Sequence, residues 1–238
     1  MIVLSIDSAS KVATAALLDE KNLIAEYTIN NKLEHSTLIM DMVDKLLKDS
    51  SLDIDDVDGF VVSKGPGSFT GLRIGMATVK GLSLGSNKPY ISISSLDALA
   101  YSLVNFDGII CPMMDALRSS VYTCLYKGNN GNLEKLIDYS ALELDELIDI
   151  LKEKGEKVIF TGDAVNKHKD YLLENFPNAI FAPNHLNIIR ASSLGELGIK
   201  MLLNNEHDDL NSAPFYLKKP QAQRELEKRL ALKNENNL

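Results

Sequence analysis

"SKGPGSFTGLRIGMATVKGLSLG", residues Ser63 to Gly85, sets glycines on both sides of a proline and then runs into a helical pattern. Pro66 fixes its own φ, while Gly65 and Gly67 can reach backbone angles that a β-carbon forbids. Ser68 and Thr70 are placed to cap the helix that follows. The free N–H groups and dipole of that helix make an anion site. Gly65, Gly67, Ser68 and Thr70 are therefore candidate phosphate contacts. The loop is not a P-loop, because GxxxxGK[ST] is absent.

The helix itself is unusual. Ala77, Gly81 and Gly85 lie four apart and share one face, as do Gly71 and Gly75. Glycine inside a helix costs about 1 kcal/mol relative to alanine, so this pattern calls for another backbone at close range. That backbone can belong to the same lobe or to a partner helix. Upstream, "EHSTLIMDMVDKLLKDS" reads as a helix. Its Leu38, Ile39, Met40, Met42, Val43, Leu46 and Leu47 cover an arc of roughly 200° at about 100° per residue. One face on a core needs about half that width. The surplus edge is rich in Met, which suits an adaptable contact, while Asp41, Asp44, Lys45 and Lys48 keep one side wet. Leu38, Ile39, Met42, Val43 and Leu46 on the first helix, with Gly71, Gly75, Thr78 and Gly81 on the second, are the candidate partner interface.

Around these helices, "IVLSIDSAS", "KVATAALLDE" and "NLIAEYTIN" read as a three-strand meander. "VDGFVVSKG" is a buried strand leading into the glycine loop, "KPYISISS" another strand, and "LDALAYSLV" a helix. This is the order of an RNase H-like lobe, the building block of the actin, Hsp70 and sugar-kinase superfamily. The second half repeats the theme in weaker form. "GIICPMMDA", "SSVYTCLYKG" and "LEKLIDYSAL" are strand-like, "DELIDILKEKG" helical, "KVIFTGDAV" a strand, and "NKHKDYLLENF" a helix. "AIFAP" is then a short strand and "RASSLGELGIKMLLN" a helix. The expected fold is α/β with two tandem RNase H-like lobes, residues 1–104 and 105–215. The last helix of the second can pack back on the first, and a tail helix covers 216–238.

Composition narrows the function. The chain has 238 residues, 45% hydrophobic and 24% charged, as in globular proteins. No apolar run approaches the ~18 residues needed to cross a bilayer, and "MIVLSIDSASK" reads as a first strand rather than a targeting segment. The two cysteines, Cys111 and Cys124, have no metal-like spacing and read as core thiols of a reducing, cytoplasmic compartment. A net charge of -8 opposes broad nucleic-acid binding. The locally basic tail, "LKKPQAQRELEKRLALKNENN", reads as a solvated helix, with an RNA contact as the alternative. His35, His168, His185 and His207 form no i, i+4 pair, which argues against a histidine metal site.

The central string, with "LSIDSAS", "DALRSSVY", "TGDAV" and "APFYLKKPQA", closely resembles the TsaB (YeaZ) family over nearly the full chain. That resemblance implies a partner of the TsaD transferase, in the formation of threonylcarbamoyladenosine on tRNAs reading codons that begin with A. TsaD carries an HxxxH metal motif, and its two histidine positions fall on Ser95 and Leu99, neither able to replace an imidazole. The resemblance thus implies no catalytic residues and no bound metal. The chain would act as a scaffold docked on TsaD, with the ATPase TsaE recruited to the pair and tRNA contacted only indirectly. No cofactor is required, although ATP or ADP can sit at the joint. Asp7, Ser8 and Ser10 match the superfamily's first phosphate loop, equally readable as residues tying down a hairpin turn. Ala164 replaces a glycine of the second such turn. Leu117 and Ser120 stand where Arg and Glu are usual. Exposed helices of this kind would also pair with their own copies, as a homodimer of the isolated chain. The alternatives are a self-sufficient ATP-using enzyme of the sugar-kinase type and a metallopeptidase-like protein.

Overall fold

The structure, a computed structural model, describes residues 1–31, 35–116 and 119–218, less the side chains of residues 35–37. The first lobe is a five-stranded sheet in the order β3-β2-β1-β4-β5. Its strands are β1 (Val3–Asp7), β2 (Val12–Leu18), β3 (Leu23–Asn30), β4 (Gly59–Gly65) and β5 (Tyr90–Ser94). β1 runs antiparallel to β2 and parallel to β4. Every residue of β1 and β2 is buried, because both faces of the sheet are covered; this is why "VATAALL" shows no polar alternation. On one face lie α1 (His35–Asp49) and α2 (Phe69–Ser86), closing a core around Leu4, Ile6, Leu17, Val43, Leu46, Phe60 and Val79. On the other face lie α3 (Ser95–Tyr101) and α6 (Ala191–Leu203).

The second lobe is built on β6 (Ile109–Asp115), whose neighbours are β7 (Ser120–Thr123) and β11 (Val158–Thr161). β10 (Ser140–Glu143) flanks β7, and β12 (Ile180–Phe181) flanks β11. α4 (Leu144–Lys154) and α5 (Val165–Asn175) pack a core with Cys111, Val121, Leu147, Val158 and Phe160.

Two of the expected long strands are each broken. "SSVYTCLYKG" splits into β7 and β8 (Tyr126–Asn129), and "LEKLIDYSAL" into β9 (Asn132–Lys135) and β10. β7 pairs with Met113–Asp115 of β6, whereas β8 meets β6 at Ile110 and turns to pair with β9. The break frees the β8–β9 hairpin to lie on α3 of the first lobe. Just past the end of α3 the contact is so close that a Cβ on Gly128 would fall 1.6 Å from the Val104 carbonyl oxygen.

α6 completes the first lobe although it lies in the second half of the chain; it packs on β1, β2, β4 and β5. Small residues allow this. A Cβ on Gly195 would meet the Leu18 side chain at 2.3 Å, and one on Gly198 the Val61 side chain at 2.4 Å. Its start is clasped from β3: Glu26, almost fully buried, accepts from Arg190 and from the Ser192 amide (3.0 Å) and hydroxyl (2.9 Å). α6 thus lies within residues 105–215 by sequence and on the first sheet by packing. After α6 the chain continues without regular structure as a strap, residues 204–218. The expected tail helix lies almost wholly beyond residue 218, outside the described residues, as do Leu117 and Arg118.

Candidate functional site: the glycine loop, the interlobe cleft and the α2 face

The glycine loop is filled by the chain's own backbone. Gly65 has φ +108°, ends β4, and precedes a cis bond to Pro66. A Cβ there would also fall 2.6 Å from the carbonyl oxygen of Phe215, on the strap. The Phe215 amide donates to the Lys64 carbonyl at 2.7 Å, which fixes the crossing. A Cβ on Gly67 would meet the Ala9 carbonyl at 2.3 Å, and one on Gly71 the Ser8 carbonyl at 1.9 Å. The turn after β1 thus packs directly against the loop and the first turn of α2. Ser68 N donates to the Ala9 carbonyl at 2.6 Å, and the Gly71 amide to the Ser68 hydroxyl. Ser68 is the N-cap, as its residue type predicts. Thr70 lies exposed in the first turn of α2.

Asp7 ends β1 with its carboxylate fully buried. One oxygen accepts from the Ala9 amide at 3.1 Å; the other has no hydrogen-bond partner. Burial pushes its pKa up to about 6, with the nearby backbone amides pulling the other way. Ser8 donates its hydroxyl to the Gly71 carbonyl, and Ser10 accepts from the Val12 amide. These two serines tie down the turn. Across the cleft, Asp163 follows β11 and accepts from the Asp115 amide at 3.0 Å. Protein packed around it raises its pKa, as does the Asp115 charge, while Lys11 opposes. Asp115 is itself paired with Lys167 at 3.0 Å. Each lobe thus ends a strand in an aspartate turn, and the charge of Asp163 adds a little to the rise at Asp7. Gly162, at φ +109°, lies on the Met113 carbonyl, and the buried Ala164 follows it.

The expected interface on α1 is corrected. Ile39, Met42, Val43 and Leu46 are at most 5% exposed and belong to the core under β2, and Leu38 is half-buried against it. The wide apolar arc arises because the helix is embedded between the sheet and α2. Only Met40, at 47% exposure, faces outward among its large apolar residues. Gly71 and Gly75 are likewise consumed internally: a Cβ on Gly75 would meet the Ser8 hydroxyl oxygen at 2.6 Å. The remaining half of the α2 pattern is open. Gly81 and Gly85 have nothing within 4 Å of a Cβ position, Ala77 is exposed, Thr78 half-buried, and Leu84 is 69% exposed.

One wall of this open face is the strap, which the sequence reading left without a role. Lys80 donates to the carbonyls of Leu210 (2.8 Å) and Ser212, and Arg73 to the Tyr216 hydroxyl. Phe69 and Tyr216 pack ring to ring at 4.9 Å. The Asp208 carboxylate accepts from the Ser92 amide at the free edge of β5. The legible signal was "APFYLKKPQA", whose aromatic pair is too apolar for a solvated loop.

Ser95 and Leu99, the positions that the resemblance sets against an HxxxH motif, lie one turn apart on α3 and are buried, Leu99 in the apolar core. Among the described residues no group of three or more His, Cys, Asp or Glu is arranged to hold a metal. No helix among them is long and apolar enough to cross a membrane.

The family model for tRNA N6-adenosine threonylcarbamoyltransferase, TsaD, matches residues 22–226. The tRNA threonylcarbamoyladenosine biosynthesis protein TsaB of Bacillus subtilis is 40% identical over 172 residues, covering 72% of this chain and 75% of that one. The chain belongs to the TsaB (YeaZ) family. YeaZ from Pseudomonas aeruginosa superposes with a TM-score of 0.75 at 21% identity, over 91% of this chain and 99% of that one. The same fold extends to component A of the (R)-2-hydroxyglutaryl-CoA dehydratase of Acidaminococcus fermentans. That match has a TM-score of 0.51 at 10% identity, over 85% and 99% of the two chains. The fold is that of the actin, Hsp70 and sugar-kinase superfamily.

Proposed function

We propose that this chain is a non-catalytic subunit of the machinery that forms threonylcarbamoyladenosine on tRNAs reading A-starting codons. In this reading it docks a TsaD transferase through the open face of α2. The observation that carries it is the division of the α2 glycines. Gly71 and Gly75 are explained by the turn after β1, whereas Gly81 and Gly85 satisfy no neighbour within this chain. Gly81, inside the helix, forgoes about 1 kcal/mol of helix propensity relative to alanine. A helix of another protein, approaching Ala77, Gly81 and Gly85 closely, would account for that loss. The 69% exposed Leu84 beside them would supply burial on docking.

The role as partner rather than catalyst draws on Ser95 and Leu99, which offer no metal ligand, and on Gly65, Gly67 and Gly71, whose smallness is explained by contact with Phe215, Ala9 and Ser8. ATP or ADP would then be held chiefly by the partner at the joint. The ATPase TsaE would join the pair, tRNA would be met through TsaD, and in isolation the same face would hold two copies of this chain together. The test is co-purification with a TsaD transferase. Gly81→Leu and Leu84→Asp are expected to abolish retention while the thermal midpoint of the isolated chain stays within a few degrees of the parent. Retention undiminished by both substitutions would refute the docking face.

A second reading, an ATP-using enzyme of the sugar-kinase type, draws on Asp7 at the end of β1 and Asp163 after β11, one carboxylate from each lobe. Sustained ATP turnover by the isolated chain, lost in Asp163→Asn, would favour it over the first.

A further inference from the structure

We infer that the two lobes form one rigid body pinned at Asp97, and that this chain does not open and close about its cleft. The inference concerns the joint between the lobes and does not depend on the docking face. Asp97 lies in the first turn of α3, on the first lobe. Its carboxylate accepts from the hydroxyl of Tyr126 at 2.5 Å and from that of Tyr139 at 2.8 Å to both oxygens. Tyr126 opens β8 and Tyr139 precedes β10, so both donors belong to the second lobe. Burial, then the charge of Asp97, raises the pKa of each tyrosine, which keeps both hydroxyls as donors through the ordinary pH range.

The joint around this pin is apolar and continuous. A single buried cluster runs from Val3, Leu18, Val61, Leu96 and Leu99 of the first lobe to Ile110, Cys124 and Ile159 of the second. Backbone meets backbone where Gly128 lies on Val104. Lys200 of α6 donates to the Gly131 carbonyl of the β8–β9 turn at 3.3 Å. The strap adds a fourth fastening, with the Phe215 ring packed on Tyr139 at 5.9 Å. Lobes of one chain move relative to each other unless their interface is large and hydrophobic. Here any opening would expose that cluster and strip the fully buried Tyr126 hydroxyl of its acceptor. Hinge closure, the usual way a two-lobed protein responds to a ligand in its cleft, is thereby removed. Faces on the two lobes are presented to any partner at one fixed angle.

The experiment measures the interlobe distance by electron–electron resonance. Nitroxides are placed on Lys48→Cys of α1 and Lys152→Cys of α4, both exposed, the native Cys111 and Cys124 being buried. The expected result is one narrow distance distribution, unmoved by saturating MgATP. Asp97→Ala should broaden it about twofold. Tyr139→Phe, which keeps the ring and loses two of the three hydrogen bonds, should broaden it less, and decides the matter should Asp97→Ala fail to fold. A bimodal distribution in the parent, a shift on adding MgATP, or an unbroadened distribution in both variants would overturn the inference.

Discussion

A Cβ added to Gly71 would stand 1.9 Å from the carbonyl oxygen of Ser8, whereas one added to Gly81, ten residues along the same helix, would touch nothing. Two glycines that look alike in sequence are therefore under different constraints. Gly71→Ala must push apart α2 and the turn after β1, and is expected to cost more than about 2 kcal/mol of stability. Gly81→Ala only gains helix propensity and should stabilise the isolated chain by about 1 kcal/mol. Urea unfolding of the two variants beside the parent checks both signs.

Burial raises the Asp7 pKa from its ordinary 3.8 to about 6, so holding the carboxylate charged in the folded chain opposes folding. The penalty, about 3 kcal/mol, is fully present above pH 6 and fades as pH falls toward 3.8, because the folded state takes up the proton first. Asp7→Asn should thus be more stable than the parent at pH 8 and nearly equal to it at pH 4. Denaturant midpoints that diverge toward low pH instead would contradict the sign.

Glu26 joins β3 to the start of α6 through Arg190 and Ser192. Removing it leaves the Ser192 amide without its acceptor and the guanidinium to be rehydrated. Glu26→Ala should cost about 2–3 kcal/mol and speed hydrogen exchange first at 191–194. Uniform exchange across the chain would show that the clasp is not local.

Met42 and Met40 are neighbours on α1 with opposite fates, 5% and 47% exposed. Met42→Asp places a charge in the core and should leave the chain largely unfolded, with a loss of several kcal/mol. Met40→Asp should change stability by less than about 0.5 kcal/mol. Circular-dichroism melts separate the two.

By itself the sequence determined the order of elements in the first lobe, a hydroxyl cap at Ser68 or Thr70, the absence of histidine at positions 95 and 99, and the family. Each is written in local residue type and spacing. Sequence could not say which half of the α2 glycine pattern belonged to the fold. Gly71 and Gly81 differ only in what lies opposite, and Ser8 reaches Gly71 from 63 residues away. The same holds for the apolar arc of α1: periodicity counts apolar residues, but burial depends on how many elements surround the helix. The broken strands of the second lobe, the return of α6 to the first sheet, the strap over Gly65 and the pin at Asp97 rest on contacts between distant segments. Those contacts were decided by tertiary packing, which brings together groups that no local pattern of residues encodes.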